Sequence, residues 1–85
     1  MKRTTEGITY DTGASVTVAE MPSTTATRLT LEFQDGELYF LYMRSPHTGD
    51  HIMPCTRDCA QQWWEMMGIH YYTTLDVFPA KRDTP

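Results

Sequence analysis

The sequence predicts a small α+β domain, an antiparallel sheet of three to five strands with one amphipathic helix packed across it. Three observations carry that expectation. Residues 54–69, PCTRDCAQQWWEMMGI, combine a helix start, a helical apolar pattern and a helix stop. Arg28 to Phe33 alternates strictly, with Leu29, Leu31 and Phe33 against Arg28, Thr30 and Glu32, as a strand with one buried face requires. Asp35-Gly36 then joins that run to a second β-forming run, Glu37 to Met43, with the residues a tight hairpin turn prefers.

The elements follow in order. Residues 1–6 are polar and expected to fray, as are residues 80–85 at the other end of a single 1–85 domain. Gly7 to Tyr10 reads as a short strand with Ile8 and Tyr10 on one face. Ser15 to Ala19 is β-branched, which favours a strand over a helical turn capped by Asp11 or Thr12. Glu20 to Thr27 is a loop, because Pro22 breaks regular structure and the Ser/Thr run competes for backbone hydrogen bonds. In the second hairpin strand Leu38, Phe40 and Tyr42 oppose Tyr39, Leu41 and Met43, so both faces are apolar and both require a cover. The helix supplies one cover; the other is a partner or aromatic residues wrapping round the edge. Arg44 to His51 is an exposed loop by composition.

In the helix, Thr56 is the expected cap and Asp58 places a carboxylate at the positive end of the dipole. Cys59, Trp63, Met66 and Met67 recur at helical spacing, with Ala60 and Trp64 widening the stripe. Gly68 is the expected left-handed terminator, with Ile69 folding back on Trp64. His70 to Phe78 reads as a last strand, burying Tyr72, Leu75 and Val77.

Composition narrows the function classes. Seven basic against eleven acidic residues give a net charge of −4, and the basic pairs Lys2-Arg3 and Lys81-Arg82 sit at the two ends. Phosphate neutralisation needs a basic patch, so direct nucleic-acid binding is not expected, whereas a basic protein partner suits the charge. The longest apolar run, Leu38 to Met43, is too short for a membrane span, and no apolar leader follows the basic start, so a cytoplasmic location is expected.

His47, His51, Cys55 and Cys59 are all zinc-ligand types at four-residue spacing. The spacing differs from modules with two ligand pairs about a dozen residues apart, and Cys59 has an alternative role as a buried apolar residue. No metal or other cofactor is therefore assigned. No nucleophile elbow, glycine-rich phosphate loop or paired-carboxylate motif is present, so a non-enzymatic protein is expected. The aromatic residues point instead to contact with another protein. Adjacent tryptophans lie about 100° apart on a helix, so the core takes one of Trp63 and Trp64 fully. Trp64 with Met67 and Tyr71 is the expected contact patch, and Glu32, Asp35, Glu37 and Asp50 the expected acidic surface.

Gly7-Ile8-Thr9-Tyr10-Asp11-Thr12 resembles the G-x-x-Y-D-T opening of small proteins found in phages and mobile elements. Tyr39-Phe40-Leu41-Tyr42, with Ile52, Pro54, Thr56, Ala60 and Trp63, resembles a later pattern of the same proteins. Those proteins are small α+β domains, some associated with inhibitors of bacterial defence such as anti-CRISPR proteins. Cys55 and Cys59 stand where leucine and an acidic residue are usual. The resemblance implies a phage-type inhibitor that blocks a host nucleic-acid-binding defence complex sterically, in the host cytoplasm. The alternatives are a small dimeric regulatory or accessory protein and a zinc-stabilised binding module.

Overall fold

The computed structural model describes residues 1–23 and 26–78. The elements run β1 (Lys2–Thr5), β2 (Ile8–Asp11), β3 (Ser15–Glu20), β4 (Arg28–Gln34), β5 (Leu38–Arg44), β6 (His51–Cys55), α1 (Arg57–Met66), β7 (Ile69–His70) and α2 (Thr74–Val77). One antiparallel sheet has the spatial order β6-β5-β4-β3-β7, and β1 with β2 forms a separate two-stranded sheet. The α+β expectation holds, with a second sheet added.

The β4–β5 hairpin forms as its turn residues dictate. Asp35 and Gly36 both take positive φ (55° and 71°), and the Glu37 N–H donates to Gln34 O at 3.2 Å. β3 is a strand, but a bulge between Thr17 and Ala19 breaks its alternation, so Val18 and Ala19 are both buried while Val16 is exposed. The loop expected from Arg44 to His51 ends one residue early, because β6 (His51–Cys55) is an edge strand paired with β5.

α1 begins where its cap demands, with Thr56 Oγ1 accepting from the Cys59 N–H at 3.2 Å. It packs over β4, β5 and β6, burying Ala60 and Trp64, with Met67 just past its end. The inward stripe is thus rotated one residue from the expected one: Cys59 and Met66 are exposed and Trp63 is half-buried. Ala60, with no exposed surface, lets the helix backbone sit close to the sheet, and Trp64 has the aromatic partners. Its ring stacks on His70 (centroids 4.2 Å apart) and meets Phe78 edge-on at 5.8 Å.

The helix stop also differs from expectation. Met67 is extended (φ −76°, ψ 132°), and the last carbonyls are satisfied by the Met67 N–H to Trp63 O and by His70 Nε2–H to Trp64 O at 2.7 Å. Gly68 does not take the left-handed conformation, and a Cβ there would make a tight 3.0 Å contact with Pro22 Cγ. Ile69 pairs with Glu20 instead of folding back on Trp64. The expected strand to Phe78 stops after His70. Thr73 and Asp76 form a reciprocal capping box that turns the chain into α2, leaving Tyr72 and Leu75 exposed and only Val77 of the three buried. Phe78 then stacks on Tyr39, whose hydroxyl donates to Val77 O at 2.7 Å.

Part of the second face of β5 is covered by the β1–β2 hairpin. Residues 2–5, expected to fray, are a strand because Glu6 and Gly7 (φ 52° and 78°) make a tight turn back to β2. Tyr10 packs edge-on against Phe40 at 5.7 Å, with Ile52 completing this smaller core. Polar bonds pin the hairpin down: Arg3 Nη1 donates to Ile52 O at 2.6 Å, Gln34 Nε2 to Thr9 O at 3.0 Å, and the Asp11 N–H to Gln34 Oε1 at 2.8 Å. The expected C-terminal tail and the middle of the Glu20–Thr27 loop lie outside the described residues.

Glu32 corrects the expected acidic surface. It is 3% exposed, and its carboxylate accepts from Ser15 Oγ at 2.9 Å and Thr17 Oγ1 at 2.7 Å. A buried carboxylate needs such donors. Glu32→Ala removes two charge-assisted bonds and strands two hydroxyls, so a loss of about 2–3 kcal/mol is expected. Urea unfolding measures it; an unchanged midpoint would show that the carboxylate is dispensable.

Candidate functional site

The hairpin covers part of the second face, and among the described residues the remainder is open. There β3, β4, β5 and the segment after β7 border a shallow, open polar cleft of about 440 Å³ lined by Thr17, Glu20, Thr30, Arg44, Tyr71 and Tyr72. The strands fix the floor, since Thr17, Glu20, Thr30 and Arg44 point to the side away from α1 by their register. The wall is set by the Tyr71 N–H, which donates to Val18 O at 2.9 Å and so prolongs the β3–β7 pairing by one residue.

Two polar chains surround the cleft. On one side Tyr71 Oη donates to Glu20 Oε1 at 2.9 Å, and Glu20 Oε2 lies 3.3 Å from Arg28 Nη2. That hydrogen bond to a carboxylate holds the Tyr71 hydroxyl above its ordinary pKa. On the other side the Arg44 guanidinium lies 5.3 Å from the centre of the Tyr42 ring, and Tyr42 Oη donates to Asp50 Oδ2 at 2.9 Å. Burial and then the Asp50 carboxylate raise the Tyr42 pKa. Both phenols therefore stay protonated at neutral pH, and the cleft presents hydroxyl, guanidinium and carboxylate groups for polar recognition. Arg28 and Arg44 are cross-strand neighbours on this face, an arrangement that favours a carboxylate nearby, as Glu20 provides.

The stretch of chain that contributes Tyr71 and Tyr72 to the cleft exposes several large apolar side chains: Met66 (59%), Ile69 (38%), Tyr71 (55%), Tyr72 (45%) and Leu75 (75%). Of the expected patch, Tyr71 is therefore available. Trp64 and Met67 are not, being 6% and 1% exposed, because the helix turns them onto the sheet. Tyr72, Leu75 and Arg44 were missed by sequence reasoning. The readable signal for the first two was Thr73-x-x-Asp76, a capping-box spacing that ends a strand.

The other expected sites are dispersed. Asp35 and Glu37 are exposed at the tip of the β4–β5 hairpin, while Asp50 lies beyond the far end of β5, roughly 20 Å away along a seven-residue strand. With Glu32 buried, the four acidic residues do not form one surface. The zinc set is separated too. His51 opens β6 and Cys55 closes it, about 13 Å apart at strand rise. His51 Nε2 lies 3.2 Å from Thr48 O, and only Cys55 and Cys59 are adjacent. No group of three or more metal-binding side chains is assembled among the described residues. Among those residues, too, no helix is long and apolar enough to cross a membrane. Comparison of the chain with protein-family models, curated proteins and solved structures found no match.

Proposed function

We propose that this chain is a non-enzymatic binding protein that engages another protein through the polar cleft, the Tyr71 and Tyr72 side chains that border it, and the exposed Leu75. The exposure of Tyr71 and Tyr72 where they line a cleft carrying Arg44 and Glu20, with Leu75 exposed three residues further along the chain, is the observation that supports this reading. Tyrosine anchors beside satisfied polar groups are the composition of interface centres, whereas isolated exposed apolar residues need no explanation. The resemblance to small phage proteins supplies the partner class, a host defence complex that handles nucleic acid, and the mode, steric block in the host cytoplasm. A net charge of −4 disfavours direct binding to nucleic acid and favours approach to a basic partner. Asp35, Glu37 and Asp50, being dispersed, then serve long-range attraction rather than mimicry of a phosphate backbone.

A second reading is a dimer. β7 and Tyr71 pair with β3 from Val18 to Glu20, so among the described residues Ser15–Thr17 forms an open sheet edge with Val16 exposed, on which a second copy could add a strand.

Affinity capture with the tagged chain from bacterial lysates carrying different defence systems tests both readings. The expected result is one stoichiometric nucleic-acid-binding complex, whose nucleic-acid binding the purified chain then blocks. Capture of only the chain itself, with a dimer mass in light scattering, would replace the inhibitor reading by the self-associating one.

A further inference from the structure

Two thiols meet where β6 hands over to α1. Cys55 ends the strand half-buried and Cys59 lies exposed in the first turn of the helix. Both are free, and the Cys55 S–H donates to Cys59 Sγ with the sulfurs 3.5 Å apart. A disulfide bond measures about 2.05 Å, so closure requires roughly 1.5 Å of movement. The exposed Cys59 side chain can supply that by rotation about χ1, while Thr56 continues to hold the helix start through the Cys59 N–H.

We propose that Cys55 and Cys59 form a dithiol site that reacts with small disulfides, such as oxidised glutathione, to give a reversible intramolecular disulfide. Cys59 is the entry point because its sulfur is accessible. Its thiolate, having released a proton to solvent, attacks one sulfur of the small disulfide, forming a mixed disulfide and expelling one glutathione thiolate. Cys55 then loses its proton and attacks Cys59 Sγ, closing the protein disulfide and expelling the second glutathione thiolate. The dithiol is oxidised by two electrons and one glutathione disulfide is reduced to two glutathione thiols.

Burial, reinforced by the neighbouring Cys59, pushes the Cys55 thiol up to about 12, which makes it the slow member of the pair. The bond joins residues flanking the Thr56 cap and leaves Tyr71, Tyr72 and Leu75 untouched, so this inference stands independently of the proposed protein partner.

The test treats the full chain with oxidised glutathione at mildly alkaline pH, then alkylates remaining thiols and records the intact mass. Both thiols are expected to become unreactive together, with a mass lower by two hydrogens, and dithiothreitol is expected to restore both. A stable glutathione adduct with Cys55 still alkylated, a disulfide-linked dimer, or no reaction would each overturn the proposal. Cys59→Ser, at an exposed position, keeps the fold and is expected to slow modification of Cys55 at least about tenfold, because the accessible attacking sulfur is gone. Equal rates in the two proteins would remove Cys59 from its role.

Discussion

Trp64→Ala is expected to cost the domain about 3–5 kcal/mol of stability, one of the largest losses any single substitution here can produce. Trp64 is 6% exposed and joins the parts of the main core that come from different stretches of chain. Its ring stacks on His70 and abuts Phe78, and its backbone carbonyl receives the His70 ring N–H. Removing the indole opens a cavity beneath α1 and removes the surface on which β7 and α2 settle. A domain of this size has about 4–13 kcal/mol of stability in total, so the loss takes a large share of it. Trp63→Ala is the comparison: that ring is only half-buried, and about 1–2 kcal/mol is expected. Urea midpoints of the two variants measure the difference. Equal losses would mean that the helix presents both tryptophans to the sheet alike.

Replacing Tyr72 with alanine and Leu75 with aspartate together is expected to abolish partner capture while leaving the fold in place. Both side chains are substantially exposed, so a combined stability change within about 1 kcal/mol is expected. At the centre of an interface each truncation costs about 2 kcal/mol, or roughly 30-fold in affinity, and the aspartate adds an unpaired charge. Capture by the variant at wild-type yield, with an unchanged circular dichroism spectrum, would place the contact surface elsewhere on the chain. Trp63→Ala separates the two effects, since it weakens the fold from the helix side of the sheet, away from the cleft.

Local chemistry explains what was legible. Asp35-Gly36 and Thr56 act over two or three residues, and both did what their types require. Strand alternation in β4 placed Leu31 in the core, and the two apolar faces of β5 announced two covers. What could not be read depended on distant neighbours. Trp63 and Trp64 are equivalent to a periodicity count, and the choice between them was made by His70 and Phe78, beyond the helix end. Thr30, Glu32 and Gln34 look like a solvated strand face until Ser15, Thr17 and the β2 backbone are brought against them. The cleft follows from how far the β1–β2 hairpin reaches, a length that no motif encodes. Thr73-x-x-Asp76 was present in the sequence, but the β-forming residues around it masked the turn.

The buried Glu32 carboxylate also acts as a key for strand alignment. Sliding β3 past β4 by two residues keeps every side chain on its own face, so hydrophobic burial opposes such a slip only weakly. The same slip would take at least one of the Ser15 and Thr17 hydroxyls out of reach of the carboxylate, leaving a charge enclosed without its full set of donors. Leucine at position 32 could match the glutamate in bulk, but it would let the two strands settle in more than one alignment.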